Sequence, residues 1–209
     1  MKKTVLLVFL LLLIPISAIT ASIADISMGF AYYKYEGTLR TPSTSESWFE
    51  TRYSLTVGAD IMLFGKSNHG IDLGFTFLYP VSSVVNDEDV KKTIADSDWG
   101  FRLGAAQKFE MSDNMALITS FGYQLLMNNR KLKDEATYDH REQLLHGLFF
   151  QGKFIVKLEE TLSISVGGLF IVPVFGSVKK TAEDTAPKKY RYKFKGIILN
   201  PTLGIKLSM

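Results

Sequence analysis

The chain has 209 residues, a formal net charge of +3, 15 Phe, 9 Tyr, 6 Pro and no cysteine. The length suits one domain, the absence of cysteine excludes disulfide frameworks and thiolate metal sites, and the mild charge gives no indication of a nucleic-acid partner. Abundant aromatic residues and scarce proline are typical of an all-β chain.

The first 24 residues have the layout of a bacterial secretory signal peptide. A short basic head precedes the apolar run Val5–Ile14, and a series of small residues follows. The apolar run is shorter than the about 20 residues that a membrane-spanning helix needs, so a retained anchor is the weaker alternative. Cleavage after Ala24, with Ser22 at position −3, fits best. The predicted domains are a signal peptide at 1–24 and a β-barrel at 25–209.

The mature chain begins with alternating apolar and polar residues over Ile26–Tyr33, and the pattern is clearest in the next two segments. Odd positions from 49 to 63 are largely apolar, even positions from 50 to 60 are polar or glycine, and the alternation resumes after the turn Gly65–Gly70. Successive side chains of a strand point to opposite faces, so this hairpin has one apolar and one polar face. Its first strand spans about fifteen residues, whereas soluble strands have about 5–6 and tilted bilayer-crossing strands about 9–11.

Eight such strands follow one another, and their connections are alternately long and short. The long loops are predicted at Gly37–Ser47, Ser82–Ser97, Asn128–Arg141 and Gly176–Lys189. In an up-and-down barrel alternate connections share one rim, so the four long loops lie at one end, as in transmembrane barrels with short periplasmic turns. The remaining strands are predicted at 71–81, 99–109, 117–125, 143–157, 162–174 and 197–209.

These features predict an all-β fold, namely an eight-stranded antiparallel up-and-down transmembrane β-barrel. An even number of strands closes the sheet and leaves no open edge in lipid. Aromatic residues cluster towards the long-loop end of the apolar face, as expected at a membrane–water boundary. The alternative is a soluble lipocalin-like barrel, which would place the apolar face inside and the small polar residues in water.

This architecture resembles the small eight-stranded outer-membrane proteins typified by OmpA, OmpX and OmpW. The resemblance covers Asp25 to Met209. It includes the alternating terminal segment Gly204–Met209, which ends in Met where the family usually has an aromatic residue. The resemblance implies an outer-membrane location, contact with outer-membrane lipid and recognition by the barrel-insertion machinery.

Charges on the predicted inward face indicate how the lumen is filled. An eight-stranded barrel has room only for side chains or one small ligand. Both signs of charge are present, and buried charges that lack a partner cost several kcal/mol, so a paired network that plugs the lumen is predicted, with a narrow polar conduit as the alternative. Lys157 shares this face. The predicted lumen charge network is Glu50, Arg52, Asp60, Asp72, Arg102, Lys108, Lys153 and Lys206.

No catalytic, cofactor or metal site is predicted, and the protein is not expected to be an enzyme. His146 falls on the outward phase of its strand, but the residue two positions later is Leu148. The lipid A deacylases that resemble this architecture have a Ser there. A lipid-modifying enzyme therefore stays the weaker alternative.

A basic segment near the end of the chain is the candidate interaction site. From Tyr190 to Lys195 aromatic and basic residues alternate, and their phase is offset from the apolar positions that begin at Ile197. The offset indicates a bulge near Gly196 or a strand that rises above the membrane. Contact with an anionic surface glycolipid or a host polyanion is expected, and ordinary solvated loop charge is the alternative. The predicted basic loop patch is Lys179, Lys180, Lys188, Lys189, Arg191, Lys193 and Lys195.

The predicted function is a monomeric outer-membrane barrel with a largely plugged lumen and a structural, adhesion or surface-interaction role. The alternative is a narrow channel for small or hydrophobic solutes, as the resemblance to OmpW implies. Ile118 and Leu126 favour this alternative slightly, because both apolar side chains fall on the inward face.

Overall fold

Eight long antiparallel strands close into a barrel in the computed structural model, which describes residues 21–40, 45–85, 88–89, 93–133, 138–182 and 188–208. Each strand pairs with its neighbours in chain order, and β1 pairs with β9 to close the sheet, so the predicted up-and-down barrel is confirmed. A two-residue segment, β4, pairs with the end of β3. The strands are β1 (Ala21–Arg40), β2 (Ser45–Phe64), β3 (His69–Val85), β4 (Glu88–Asp89), β5 (Thr93–Ser112), β6 (Met115–Lys133), β7 (Tyr138–Lys157), β8 (Leu162–Ala182) and β9 (Lys188–Ser208).

Short hairpins join β2 to β3, β5 to β6 and β7 to β8, and we call this the turn end of the barrel. The opposite end is called the loop end. The predicted signal peptide lies outside the described residues except for Ala21–Ala24, which form the start of β1. No helix within the described ranges has the length and hydropathy that a membrane crossing requires.

The predicted long loops are mostly strand, and this part of the prediction was wrong. β1 continues to Arg40 and β2 begins at Ser45, although 37–47 was predicted as a loop, and the other three loop-end connections are shortened in the same way. A strand of 20 residues is roughly 65 Å long at about 3.3 Å per residue. At a tilt of about 40° it rises about 50 Å, twice the apolar band of about 25 Å. The barrel therefore extends well beyond the bilayer at the loop end.

The same face of β9 points into the lumen along the whole strand, but the polarity of the inward and outward faces reverses part of the way along it. Tyr192 and Phe194 are buried in the lumen, as is Lys206 further along the strand. On the outer wall Lys193 is exposed at the loop end and Leu203 is exposed nearer the turn end. The predicted phase offset thus coincides with a change of surrounding solvent. The predicted bulge near Gly196 also has a counterpart, because the pairing of β8 with β9 shifts register between Ile198 and Lys193, which lie opposite Ile171 and Phe175.

Gly196 marks the point in β9 where this reversal occurs, and its backbone has a φ of 154°. A Cβ atom there would lie 2.3 Å from the carbonyl oxygen of Lys34 and 2.5 Å from the Cα of Tyr35. The adjacent β1 backbone therefore leaves no space for a side chain at this position.

Replacing Gly196 with Ala is expected to lower the free energy of unfolding by about 1–3 kcal/mol, because the positive φ and the approach of β1 both disfavour a side chain. The measurement is the urea midpoint of the refolded barrel in detergent micelles. Gly168→Ala is the matched control, since its added Cβ would have nothing within 4 Å. Equal midpoints for the two variants would contradict the expectation.

Candidate functional site

A layer of apolar side chains from five strands lies in the lumen at the turn end. All of them are buried, and Met62, Phe64 and Ile118 are only 1% exposed. Because such side chains pack at interior density, they leave little room for water between them. We call this layer the lower apolar disc; it consists of Ile23, Met62, Phe64, Ala106, Ile118 and Ile155.

A cluster of buried charges lies above the lower apolar disc. The Lys153 ammonium forms ion pairs with Asp25 and Asp60, and the Arg102 guanidinium pairs with Asp60 as well. The Nε of Arg102 lies 3.6 Å from Asp72. We call these five residues the central ion cluster. They come from β1, β2, β3, β5 and β7, so the cluster connects strands that are not neighbours in the sheet.

One amide and one hydroxyl group add hydrogen bonds to the central ion cluster. With the Gln151 amide oriented to pair both its atoms, its nitrogen donates to Asp72 at 3.0 Å and its oxygen accepts from Arg102 at 3.3 Å. The hydroxyl of Ser165 lies 3.2 Å from both carboxylate oxygens of Asp25. Such contacts are what a buried ionic group needs to offset its loss of hydration.

A second, smaller group of charges lies nearer the loop end, and we call it the upper ion cluster. Arg52 is fully buried and pairs with Glu50 at 2.9 Å and with Asp98. The Tyr35 hydroxyl donates to Glu50 at 2.6 Å, and the Arg52 guanidinium lies 5.8 Å from the ring centre of Tyr33. The cation therefore contacts both carboxylates and an aromatic face.

Apolar and aromatic side chains surround the upper ion cluster and fill the lumen towards the loop end. Between this layer and the central ion cluster is a cavity of about 10 Å³, lined in part by Thr56, Asn200 and Leu169. A cavity of that size holds about one water molecule. We call the layer the upper apolar layer; its members are Ala31, Tyr33, Tyr35, Leu78, Leu126, Leu145, Phe149, Leu169, Ile171, Tyr192, Phe194 and Ile198.

Most residues of the predicted lumen charge network lie in these clusters. Lys206 is also buried, opposite Asp25 in the pairing of β1 with β9. Lys108 does not join the network: its side chain is 25% exposed at the turn end, where water reaches it, and it pairs with Glu110 at 2.8 Å. Lys157 is exposed. The members found inside are Glu50, Arg52, Asp60, Asp72, Arg102, Lys153 and Lys206.

The sequence prediction missed two carboxylates of the lumen, Asp25 and Asp98. Asp25 stood at the predicted start of the mature chain, and Asp98 followed a predicted loop. Strand phase could have identified both residues, because Asp98 shares its parity with inward-facing Arg102 and Asp25 shares its parity with buried Ser27.

The predicted basic loop patch lies on strands rather than in a loop, because β8 extends to Ala182 and β9 begins at Lys188. Arg191, Lys193 and Lys195 are exposed on the outer wall. Lys179 pairs with Glu142 at 3.2 Å. The side chains of Lys180, Lys188 and Lys189 lie outside the described residues.

His146 faces outward, as predicted, in an aromatic group on the outer wall. Its ring stacks on Phe175 at a centroid distance of 4.5 Å, and its Nδ1 shares a hydrogen bond with the Tyr123 hydroxyl. The described part of the chain contains no group of three or more His, Cys, Asp or Glu residues that could hold a metal ion.

The fold is that of transmembrane β-barrels, and comparisons with known proteins agree. No protein-family model and no curated protein matches the sequence. The outer membrane protein OprG from Pseudomonas aeruginosa is similar in structure, with a TM-score of 0.64 over 90% of this chain and 96% of that chain at 11% identity. The outer membrane protease OmpT from Escherichia coli gives a TM-score of 0.52 over 91% and 97% at 8% identity.

A major outer membrane protein from Thermus thermophilus gives a TM-score of 0.50 over 89% of this chain and 99% of that chain, at 11% identity. At such identities the likeness shows the fold alone. The resemblance to small outer-membrane barrels, predicted from the alternation of the strands, is thereby confirmed at the level of architecture.

Replacing Lys153 with Met is expected to cost about 3–5 kcal/mol of unfolding free energy, because it leaves the buried Asp25 carboxylate without a cation within ion-pair distance. Asp60 keeps Arg102 as its partner. The double variant Lys153→Met with Asp25→Asn should recover much of that loss, and urea unfolding in micelles measures both. Lys108→Met, which breaks a partly exposed pair, is the control with a small expected effect. A double variant no more stable than Lys153→Met would contradict this account.

Proposed function

We propose that the protein is a monomeric, non-enzymatic β-barrel of the outer membrane that does not conduct ions and that acts through its exposed surface. The packed lumen is the observation that carries this proposal. The lower apolar disc, two ion clusters and the upper apolar layer succeed one another along the barrel, and the cavity between the layers measures about 10 Å³.

The chemistry of these layers supports a closed lumen. An ion that entered the central ion cluster would have to displace Lys153 or Arg102 from their carboxylates, and separating a buried pair costs several kcal/mol. It would then meet the side chains of the lower apolar disc, which are apolar and cannot replace its hydration shell. These two barriers lie in series on the same path.

The length of the strands supports a surface role. If the apolar band lies in the bilayer, about half of each strand projects beyond it at the loop end. Exposed segments on a rigid scaffold are where binding residues concentrate. In a structural or adhesion-type role, the part of the barrel that projects from the bilayer would make the contacts with other molecules.

Purified protein in planar bilayers is expected to give no stepwise currents, because the packed layers of described side chains leave no continuous aqueous path between them. A general porin reconstituted in the same way provides the positive control. A shift in gel mobility on boiling verifies that the inserted protein is a folded barrel. Reproducible stepwise conductance from folded protein would refute the closed lumen.

A second candidate function, entry of small apolar solutes through the barrel wall, is favoured by one observation. In the described residues β3 and β5 pair only up to Leu78 and Asp98, whereas β2 pairs with β3 up to Val85. Pro80 follows on β3 and has no N–H to donate. In the described residues β3 and β5 form no ladder beyond this point, where the same edge of β3 pairs only with β4 at Val84 and Val85, and Leu78 of the upper apolar layer lies at the end of the ladder.

A small apolar carbene-generating probe, photolysed in proteoliposomes, tests this second candidate. Solute entry through the wall predicts labelling of Leu145 and Ile171 in the upper apolar layer, with Ile118 and Ile155 of the lower apolar disc left unlabelled. Mass spectrometry of the peptides locates the label. Labelling confined to outward side chains such as Leu203 would refute it.

A further inference from the structure

The outer wall carries a strip of cations where β1 and β9 meet. Four basic side chains project outward there, and all are exposed. In the pairing of the two strands Lys34 lies opposite Ile197, two positions along β9 from Lys195. We call this surface the basic strip; it consists of Lys34, Arg191, Lys193 and Lys195.

The basic strip keeps its charge, because no carboxylate in the described ranges forms an ion pair with any of its four members. Glu36 is the nearby acid: it lies opposite Lys195 in the strand register without coming within ion-pair distance. Lys179, by contrast, is paired with Glu142 at 3.2 Å and is left out of the strip for that reason. Among the described side chains this surface therefore presents four positive charges beside one negative charge.

The height of the basic strip on the barrel is the second observation. Below it the outward residues of β9 are apolar from Ile197 to Leu207, and Leu199, Leu203 and Ile205 among them are exposed. About ten residues at about 3.3 Å each, tilted by about 40°, rise about 25 Å, which is the height of the apolar band of a membrane barrel. The strip therefore begins where the acyl chains end.

Aromatic residues adjoin the basic strip. Phe175 lies opposite Lys193 in the pairing of β8 with β9, is 51% exposed and stacks with His146. The Tyr123 hydroxyl continues this group by its hydrogen bond to His146. Of these rings Tyr123 is amphipathic, and tyrosine side chains collect at the level of lipid headgroups.

We propose that the basic strip binds the phosphate groups of a phosphorylated glycolipid in the outer leaflet. This inference rests on the proposed outer-membrane location. The strip lies at headgroup level, which an anionic lipid reaches while it stays in the bilayer. A soluble polyanion meets first the rim at the loop end, where Lys180 and Lys188 pair in the β8–β9 ladder. Arg191 offers a guanidinium fork that matches two phosphate oxygens, and the lysines add point charges.

The test compares two variants that each remove three positive charges. The first, Arg191→Gln with Lys193→Gln and Lys195→Gln, changes the basic strip. The second, Lys180→Gln with Lys188→Gln and Lys189→Gln, changes the rim. Each full-length protein is refolded, checked by its mobility shift on boiling, and placed in nanodiscs with bisphosphorylated lipid A or with the same lipid after dephosphorylation. Native mass spectrometry measures the dissociation constant.

The strip variant is expected to bind the phosphorylated lipid about a hundredfold more weakly than the wild-type protein, from the usual contribution of each Lys or Arg at an anionic surface. The dissociation constant of the rim variant should stay within about threefold of the wild-type value, because salt screens the attraction between the headgroups and charges further from them. The dephosphorylated lipid should be bound weakly and equally by all three proteins, because it lacks the charge that the strip attracts.

The proposal is overturned if the strip variant binds the phosphorylated lipid as tightly as wild type, or if the rim variant loses more affinity. It is also overturned if heparin displaces the lipid from the wild-type protein but not from the rim variant, since that result points to a soluble polyanion at the rim. Conductance is measured on the same preparations. Stepwise currents would refute the closed lumen but would not affect the proposed lipid site. Equal lipid affinities of the strip variant and the wild-type protein would refute the lipid site but would not affect the closed lumen.

Discussion

The pairing of buried charges in the lumen is the constraint on which the rest of the barrel depends. The central ion cluster joins Lys153 of β7 to Asp25 of β1 and Asp60 of β2, and Asp60 to Arg102 of β5. These contacts form only in one strand register, because a slip of one residue would turn a charged side chain towards lipid. A charge on the lipid face near the membrane midplane costs a few kcal/mol. The cluster therefore specifies register as well as filling the lumen.

The outer face of the same strands contacts lipid along one part of their length and water along the other. Near the turn end apolar side chains face outward and the charges are inside, whereas near the loop end β9 turns aromatic residues inward and cations outward. The backbone continues through this change without losing its pairing with β1. One sheet is thus a membrane barrel in one half and has the polarity of a soluble barrel in the other. The basic strip lies at the junction of the two halves.

Much of this fold could be predicted from the sequence, because a strand that separates lipid from a polar lumen has strict alternation. The segment 49–63 predicted most of β2, including the inward positions of Arg52 and Asp60. The extent of the strands at the loop end could not be predicted in this way. Ser, Thr and charged residues there resemble a loop, yet they continue the strands beyond the apolar band. Asp98 was missed because it directly followed such a segment, although its side chain is buried in the lumen.

The partners within the lumen were harder to predict than its composition. Alternation gives the face of each side chain, but ion pairs such as Lys153 with Asp25 depend on how far the strands are staggered around the barrel. That stagger is a property of the closed sheet, so no single segment encodes it. The residues of the lumen could therefore be listed from the sequence, whereas their division into two ion clusters and two apolar layers could not.

The pairing of β1 with β9 has a consequence for biogenesis. Ile23 lies opposite Ser208, so the seam of the barrel joins residues from opposite ends of the chain. Contacts between residues so distant in sequence form late and slowly. Until β1 pairs with β9, both strands expose unsatisfied backbone groups that hydrocarbon cannot solvate. The nascent polypeptide therefore has to be held in an insertion-competent form until its last strand has arrived.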